Sequence, residues 1–238
     1  MISSIENPKV KLLLKLKQGK YRKTEKMFIV EGAHLVKEAR LAGVLIEAYS
    51  IVEQEGFIQV SEAVMKKIST TDTLVKEIGS CRFIEKNNIS NKILILDGVQ
   101  DPGNMGTLMR SACAFGFDTI FVGVGSVDIY NEKVIRSSQG AIFKLNFIFG
   151  NVVEFVNNLK EHKVYGTNVV RGIPLNNVIK QEKMAVILGN EGNGISKEVD
   201  DLLLDNIYIP MNNTESLNVA IAGSIIMYTL GWEIWSMK

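Results

Sequence analysis

Histidine and cysteine are scarce in this chain, and their scarcity removes whole classes of chemistry. The two cysteines, Cys81 and Cys113, form no C-x-x-C or other metal spacing. That argues against disulfides and structural zinc, and for a reduced cytoplasmic setting. The two histidines, His34 and His162, stand in different halves of the chain, so a Ser-His-Asp or Cys-His nucleophile system has little support. No group of His, Cys, Asp and Glu has metal-ligand spacing, and no metal is expected. The start, Met1-Ile-Ser-Ser-Ile-Glu6, lacks a signal-peptide pattern. The uncharged run from Ser216 to Trp232 is shorter than the ~20 apolar residues of a membrane span and includes Asn218, Ser224 and Thr229, so it reads as a buried helix.

What is present is enough apolar material for a packed core. Hydrophobic residues make up 46% of 238 positions, which excludes a disordered chain and allows one large domain or two small ones. Charge is unevenly spread. Residues 1–30 hold eight Lys and Arg against Glu6 and Glu25, a local charge of +6 in a chain of net +1. Such asymmetry points to a basic N-terminal arm meeting a polyanion, RNA or DNA, with a solvated helix face as the plainer reading.

Along the chain, residues 1–27 read as a basic helical arm and residues 28–32 as a strand and turn. Residues 33–42 read as a helix closed by Gly43, and residues 44–52 as a strand. Residues 62–68 and 72–78 read as helices. A polar stretch over 85–92 divides this half, residues 1–90, from the second, residues 91–238. In the second half, strands are expected at 93–96, 119–122, 163–166, 185–188 and 206–209. Helices are expected at 104–115, 131–138, 152–161, 196–203 and from about 217 to 235. The alternation argues an α/β domain with a parallel sheet flanked by helices on both faces.

Three blocks carry the candidate chemistry. The first, Leu96-Asp-Gly-Val-Gln-Asp-Pro-Gly-Asn-Met-Gly-Thr-Leu-Met-Arg110, reads as a strand end, a turn and a helix start, the place where α/β proteins hold ligands. Asn104 suits the N-cap. Met105, Leu108, Met109, Ala112 and Cys113 share one apolar face, and Arg110 lies off it. The second, Val186-Ile-Leu-Gly-Asn-Glu-Gly-Asn-Gly-Ile-Ser196, runs a buried strand into Gly189, Gly192 and Gly194, where backbone can approach a ligand closely. It is neither a Walker loop nor G-x-G-x-x-G, and Glu191 repels phosphate, so a phosphate cradle and a Rossmann nucleotide site are disfavoured. The third runs from Ile207 to Ser224. Ser216 suits an N-cap, which sets Asn218 in the first turn of an otherwise apolar helix, where its amide needs a partner. Arg, Asn, Glu and Ser together suit group transfer by positioning.

Taken together, Asp97 to Arg110, Leu188 to Gly194, and Ile209 to Asn218 resemble the signature motifs of the SpoU (TrmH-like) branch of the SPOUT methyltransferases. Asn7-Pro-Lys-Val-Lys11, Phe28-Ile-Val-Glu-Gly32 and Leu35-Val-Lys-Glu-Ala39 resemble the substrate-binding domain of that family, although residues 73–83 lack its usual Pro-Gly-rich end. The resemblance covers nearly the whole chain. It implies a C-terminal trefoil knot, against a base rate that makes knots very rare, and a homodimer, for which the final helix with Trp232 and Trp235 is suited, though core packing explains these residues equally well. It implies S-adenosylmethionine as cofactor, held by Thr167, Asn168, Leu188, Gly189, Asn190, Gly194, Ile209, Met211, Leu217 and Asn218, with backbone at Gly189, Ile209 and Leu217 on the adenosyl moiety.

The implied reaction is methylation of a ribose 2′-hydroxyl in RNA. Ribosomal RNA is favoured over transfer RNA by the type of N-terminal domain, and a non-catalytic RNA binder keeping the fold is the other alternative. Arg110, Asn104, Glu191, Ser216 and Asn218 are the implied catalytic set. The family assigns the Arg as general base. An Arg is always protonated, which favours a clamp on the 3′ phosphate that eases loss of the hydroxyl proton.

Overall fold

The computed structural model describes residues 1–71, 73–85, 88–169 and 171–231, and its contacts divide into two compact units. The first comprises Met1–Ile84 and Asp128–Phe143. Its elements are helices α1 (Pro8–Leu16) and α2 (Gly19–Glu25), strand β1 (Met27–Glu31), helix α3 (Ala33–Leu41), strands β2 (Leu45–Ser50) and β3 (Ile58–Gln59), helix α4 (Glu62–Ile68) and strand β4 (Glu77–Arg82). Asn7 starts α1 by accepting the Lys9 N–H at 3.0 Å, with Pro8 at the first helical position, where its missing N–H costs nothing.

The N-terminal segment is no free arm. Helix α1 buries Val10, Leu13 and Leu16, and its lysines face outward. Arg22 of α2 is buried. Its guanidinium pairs with Asp128 at 2.6 Å and donates to the carbonyls of Leu16 and Lys17 at 3.1 and 2.9 Å. One of the eight cations counted for a polyanion is therefore spent inside the unit.

The sheet order is β1-β4-β2-β3, with β4 antiparallel to both neighbours and β2 parallel to β3. A central strand thus occupies the end of the stretch expected to be helical over 72–78, of which Asp72 lies outside the described residues. The strand is hard to recognise because its middle is Gly79-Ser80-Cys81. Those small residues answer a packing demand: a Cβ at Gly79 would stand 2.7 Å from Leu45 Cδ1 and 3.0 Å from Val30 Cγ2. Segment Asp128–Phe143 enters this unit with Tyr130, whose ring stacks on Phe83 at 4.0 Å and meets Phe28 at 4.7 Å. The expected boundary at 90/91 had left this segment with the second half.

The second unit comprises Glu85–Val127 and Lys144–Lys238. It carries strand β5 (Lys92–Asp97), helix α5 (Pro102–Phe115) and strand β6 (Thr119–Gly123). Helix α6 (Glu132–Ser138) follows in sequence but packs in the first unit. Then come β7 (Asn146–Gly150), α7 (Val152–Asn158), β8 (Lys163–Thr167), β9 (Ile173–Pro174), β10 (Met184–Gly189), α8 (Lys197–Asp200), β11 (Asn206–Tyr208) and α9 (Val219–Gly231). The sheet has the order β7-β6-β5-β10-β8-β11-β9, and every neighbouring pair is parallel.

Burial explains which strands the sequence announces. Ile93 to Leu96 and Met184 to Leu188 are buried on both faces, as a covered parallel sheet requires. The strands not expected, β7 and β9, lie at the two edges of the sheet. Helix α9 starts at Val219 rather than 217, and the tryptophans proposed for its end, Trp232 and Trp235, lie outside the described residues. Strands β5, β8, β10 and β11 end on one side of the sheet, and the loops beyond their carboxyl ends make the site.

Candidate active site

The turn after β5 opens at Gly98, whose φ of +79° is one that glycine adopts without strain. Helix α5 is then capped by Asp101, not by Asn104. The Asp101 carboxylate accepts the Asn104 N–H at 2.8 Å, with Pro102 at the first helical position. Two residues in this turn have capping side chains, and the one before the proline takes the role. Asn104 is thereby left with its own amide free to act elsewhere. The apolar face is as expected, with Met105, Leu108, Met109 and Ala112 buried, while Arg110 is exposed.

The glycine-rich loop after β10 is folded by Asn190. Its Oδ1 accepts the N–H groups of Gly192 and Asn193 at 2.9 and 3.1 Å, and its Nδ2 donates to the Gly98 carbonyl at 2.9 Å. Backbone bonds between Asn190 and Gly194 close the loop into a small ring. Gly189 admits no side chain, because a Cβ there would overlap the backbone of Gly194 and Ile195. Asp97 ties the far side of the loop by accepting the Ser196 N–H at 2.7 Å.

Glu191 points from this loop to the start of α5. Its carboxylate accepts the N–H groups of Gln100 and Asp101 at 3.1 and 3.0 Å and the Asn104 Nδ2 at 3.1 Å. Burial pushes the carboxyl up, but the bonds from Asp101, Asn104 and Gln100 outweigh it and hold the group below the usual carboxylate range.

The third block completes the arrangement. The amide of Asn218 accepts the N–H groups of Ala220 and Ile221 at 2.9 and 3.2 Å, so Asn218, and not Ser216, caps α9. Its Nδ2 donates to Asn104 Oδ1 at 2.9 Å. This is the partner that the position demanded. Glu191, Asn104 and Asn218 therefore form one hydrogen-bonded chain, and each comes from a different block. Helices α5 and α9 pack closely beneath it. Ser111 and Ser224 share a hydrogen bond of 2.7 Å, and a Cβ at Gly223 would stand 2.5 Å from Leu188 Cδ1 and 2.6 Å from Leu108 Cδ2.

These loops enclose a pocket of about 660 Å³, within the range of small-molecule sites. Thr167 and Asn168 after β8, Leu188, Gly189, Asn190 and Gly194 around the ring, and Ile209, Met211, Leu217 and Asn218 after β11 all line it. So do Glu191 and Ser216. Asn104 and Arg110 do not. Asn104 reaches the wall through Asn218 and Glu191, and Arg110 stands further along α5 with no hydrogen bond or ion pair among the described residues. The wall also contains residues that the motifs did not single out, among them Asp200, Tyr208, Ala222 and Ile226. Ala222 and Ile226, spaced i, i+4 on α9, carry a helical signal; Asp200 carries none beyond its place just after the glycine loop.

The wall's chemistry is one-sided. It includes the carboxylates of Glu191 and Asp200 and, among the described residues, no Lys, Arg or His. Such a site suits a ligand with positive charge.

Residues 91–228 match the SpoU rRNA Methylase family, and residues 7–75 match the MRM3-like substrate binding domain. The chain is 35% identical to the 23S rRNA (guanosine(2553)-2'-O)-methyltransferase RlmP of Bacillus subtilis, over 96% of this chain and 98% of that one. An AdoMet-bound rRNA methyltransferase from Sinorhizobium meliloti superposes with a TM-score of 0.87 at 26% identity, covering 96% of each chain. A crystal structure of an RNA 2'-O ribose methyltransferase superposes with a TM-score of 0.80 at 28% identity, covering 96% of this chain and 97% of that one.

Proposed function

The chain belongs to the SpoU rRNA methylase family, and from that premise we propose that it transfers a methyl group from S-adenosylmethionine to a ribose 2′-hydroxyl of ribosomal RNA. The observation that carries this reading is the Glu191–Asn104–Asn218 chain, which draws the three blocks around one pocket with a cation-favouring wall. The relative acting on 23S rRNA makes that RNA the first substrate to test. The test is methyl transfer from labelled cofactor to 23S, 16S and transfer RNA, followed by mapping of 2′-O-methyl positions. A modified ribose in ribosomal RNA is expected. Modification in transfer RNA alone overturns the substrate, and cofactor binding without transfer to any RNA leaves a binder in place of an enzyme.

S-adenosylmethionine supplies an electrophilic methyl on a sulfonium, so the chain's work is to bind, align and ease the loss of one proton. Backbone at Gly189, Ile209 and Leu217, which line the pocket, would hold the adenosyl moiety. Ser216 offers a hydroxyl at the pocket wall that makes no hydrogen bond among the described residues, and it is placed to orient the ribose. Glu191, held low and already accepting three bonds, is a poor base. Glu191 and Asn104 act as positioning residues that fix the start of α5. Arg110 offers a guanidinium free to take the phosphate beside the reacting ribose, where its charge eases deprotonation of the hydroxyl towards phosphate or water.

Three finer readings go with this function. The pocket loops belong to a trefoil knot, supported by β10 lying between β5 and β8 and by α9 returning from β11 to pack on α5 and β10. The protein works as a homodimer through the second unit, supported by the exposed face of α9 that holds Ile221, Ile225 and Tyr228. It acts in the cytoplasm, where a ribosomal RNA substrate is found. Among the described residues, no helix is long and apolar enough to cross a membrane.

A further inference from the structure

We infer that Asp200 makes the pocket charge-selective, favouring the methyl-bearing sulfonium cofactor over the neutral thioether left after transfer, and that Arg171 sets how strong the preference is. The inference rests on the methyltransferase reading above. The balance of that reaction is fixed by its bonds. The sulfur–methyl bond breaks with its electron pair left on sulfur, the oxygen–methyl bond forms, and the hydroxyl proton departs to solvent. The cofactor thus goes from a net charge of +1 to zero inside a wall whose own charge does not change.

Two carboxylates make that wall negative, and they differ in what they can do. Glu191 is engaged by Gln100, Asp101 and Asn104 at the start of α5, so three donors already meet its charge. Asp200 has a looser hold. Its Oδ1 accepts a long bond from Asn206 Nδ2 at 3.3 Å, and its Oδ2 pairs with Arg171 at 2.6 Å. The Arg171 side chain is 63% exposed, and water screens such a cation, so it offsets Asp200 only in part. The same pocket wall also holds Leu188, Ile195, Ala222 and Ile226, apolar groups that screen a carboxylate's field less than water does. At separations within one pocket, Coulomb's law with an effective dielectric between about 20 and 80 gives a preference on the order of 2- to 30-fold. A negative wall therefore holds the reactant and loosens the product.

The test is calorimetric binding of S-adenosylmethionine, S-adenosylhomocysteine and an analogue with an ammonium in place of the sulfonium. It uses the full-length protein, Asp200→Asn and Arg171→Gln. The unaltered protein is expected to bind both cations more tightly than the neutral product, with a ratio that shrinks as salt rises. Asp200→Asn is expected to weaken the cations about 3- to 10-fold and leave the neutral product within twofold. Arg171→Gln is expected to move the ratio the other way. Equal weakening of all three ligands by Asp200→Asn, or a ratio that neither variant nor salt alters, overturns the inference while the methyltransferase reading stands. If Asp200→Asn does not fold, Arg171→Gln and the salt series decide. Failure of the unaltered protein to bind any of the three overturns that reading and this inference with it.

Discussion

Two arginines show how differently the two units use the same side chain. In the first unit, Arg22 is buried and its guanidinium is filled by Asp128 and two backbone carbonyls. In the second, Arg110 is exposed on α5 and makes no hydrogen bond or ion pair among the described residues. Both are cations on helices, and a count of charge along the sequence treats them alike. Their partners separate them. A guanidinium whose donors are met by its own fold contributes to stability, whereas one kept apart by a helix face is available for recognition.

The sharpest way to break this contrast is at Arg110. Arg110→Ala is expected to lower single-turnover methyl transfer by at least about 10²-fold while cofactor affinity and melting temperature stay near those of the unaltered protein, since exposed substitutions change stability by about 0.5 kcal/mol or less. Unchanged turnover would remove Arg110 from the reaction. The opposite pattern belongs to Arg22. Arg22→Ala leaves Asp128 and two carbonyls without their donor, and is expected to cost about 3–5 kcal/mol in denaturant unfolding. A loss below about 1 kcal/mol would show that the pair is no anchor.

Asn218 joins both uses, because one amide caps α9 and holds Asn104. Asn218→Ala is expected to cost about 1–2 kcal/mol. A double-mutant cycle with Asn104→Ala should show coupling of about 0.5 kcal/mol or more, and strictly additive losses would mean that the bond between them carries nothing. The smallest effect is that of pH at Glu191. Its folded carboxyl sits below the unfolded value of about 4.3, so its contribution is complete above that value and disappears as pH falls through the folded one. The stability gap between the unaltered protein and Glu191→Gln should therefore be present at neutral pH, below about 1 kcal/mol for so exposed a group, and close on acidification. A gap that widened in acid would reverse the sign.

The parts of this molecule legible in the sequence are those with a single physical cause. Strands β5 and β10 are apolar throughout because both of their faces are covered. Leu188, Gly189, Asn190 and Gly194 line the pocket because a strand end followed by glycines has few ways to fold, whereas Thr167, Asn168, Ile209, Met211, Leu217 and Asn218 are reached only through the family resemblance. Where two causes compete, the sequence is ambiguous. Asp101 and Asn104 both suit a cap, as do Ser216 and Asn218, and tertiary hydrogen bonds choose between them. Strand β4 hides because packing demands Gly79, Ser80 and Cys81 where strand preference calls for larger residues. Asp200 stays unseen because its place in the wall depends on how α8 packs, which no local pattern records.

The ring closed on Gly189 has a consequence for how this pocket can change over time. No residue larger than glycine can occupy that position while the loop keeps its shape, so drift there is forbidden in a way that no neighbouring substitution relieves. The backbone cradle is thus inherited whole or lost whole. Adaptation to a new ligand charge or size has to proceed through side chains around the cradle, at wall positions such as 200, 222 and 226.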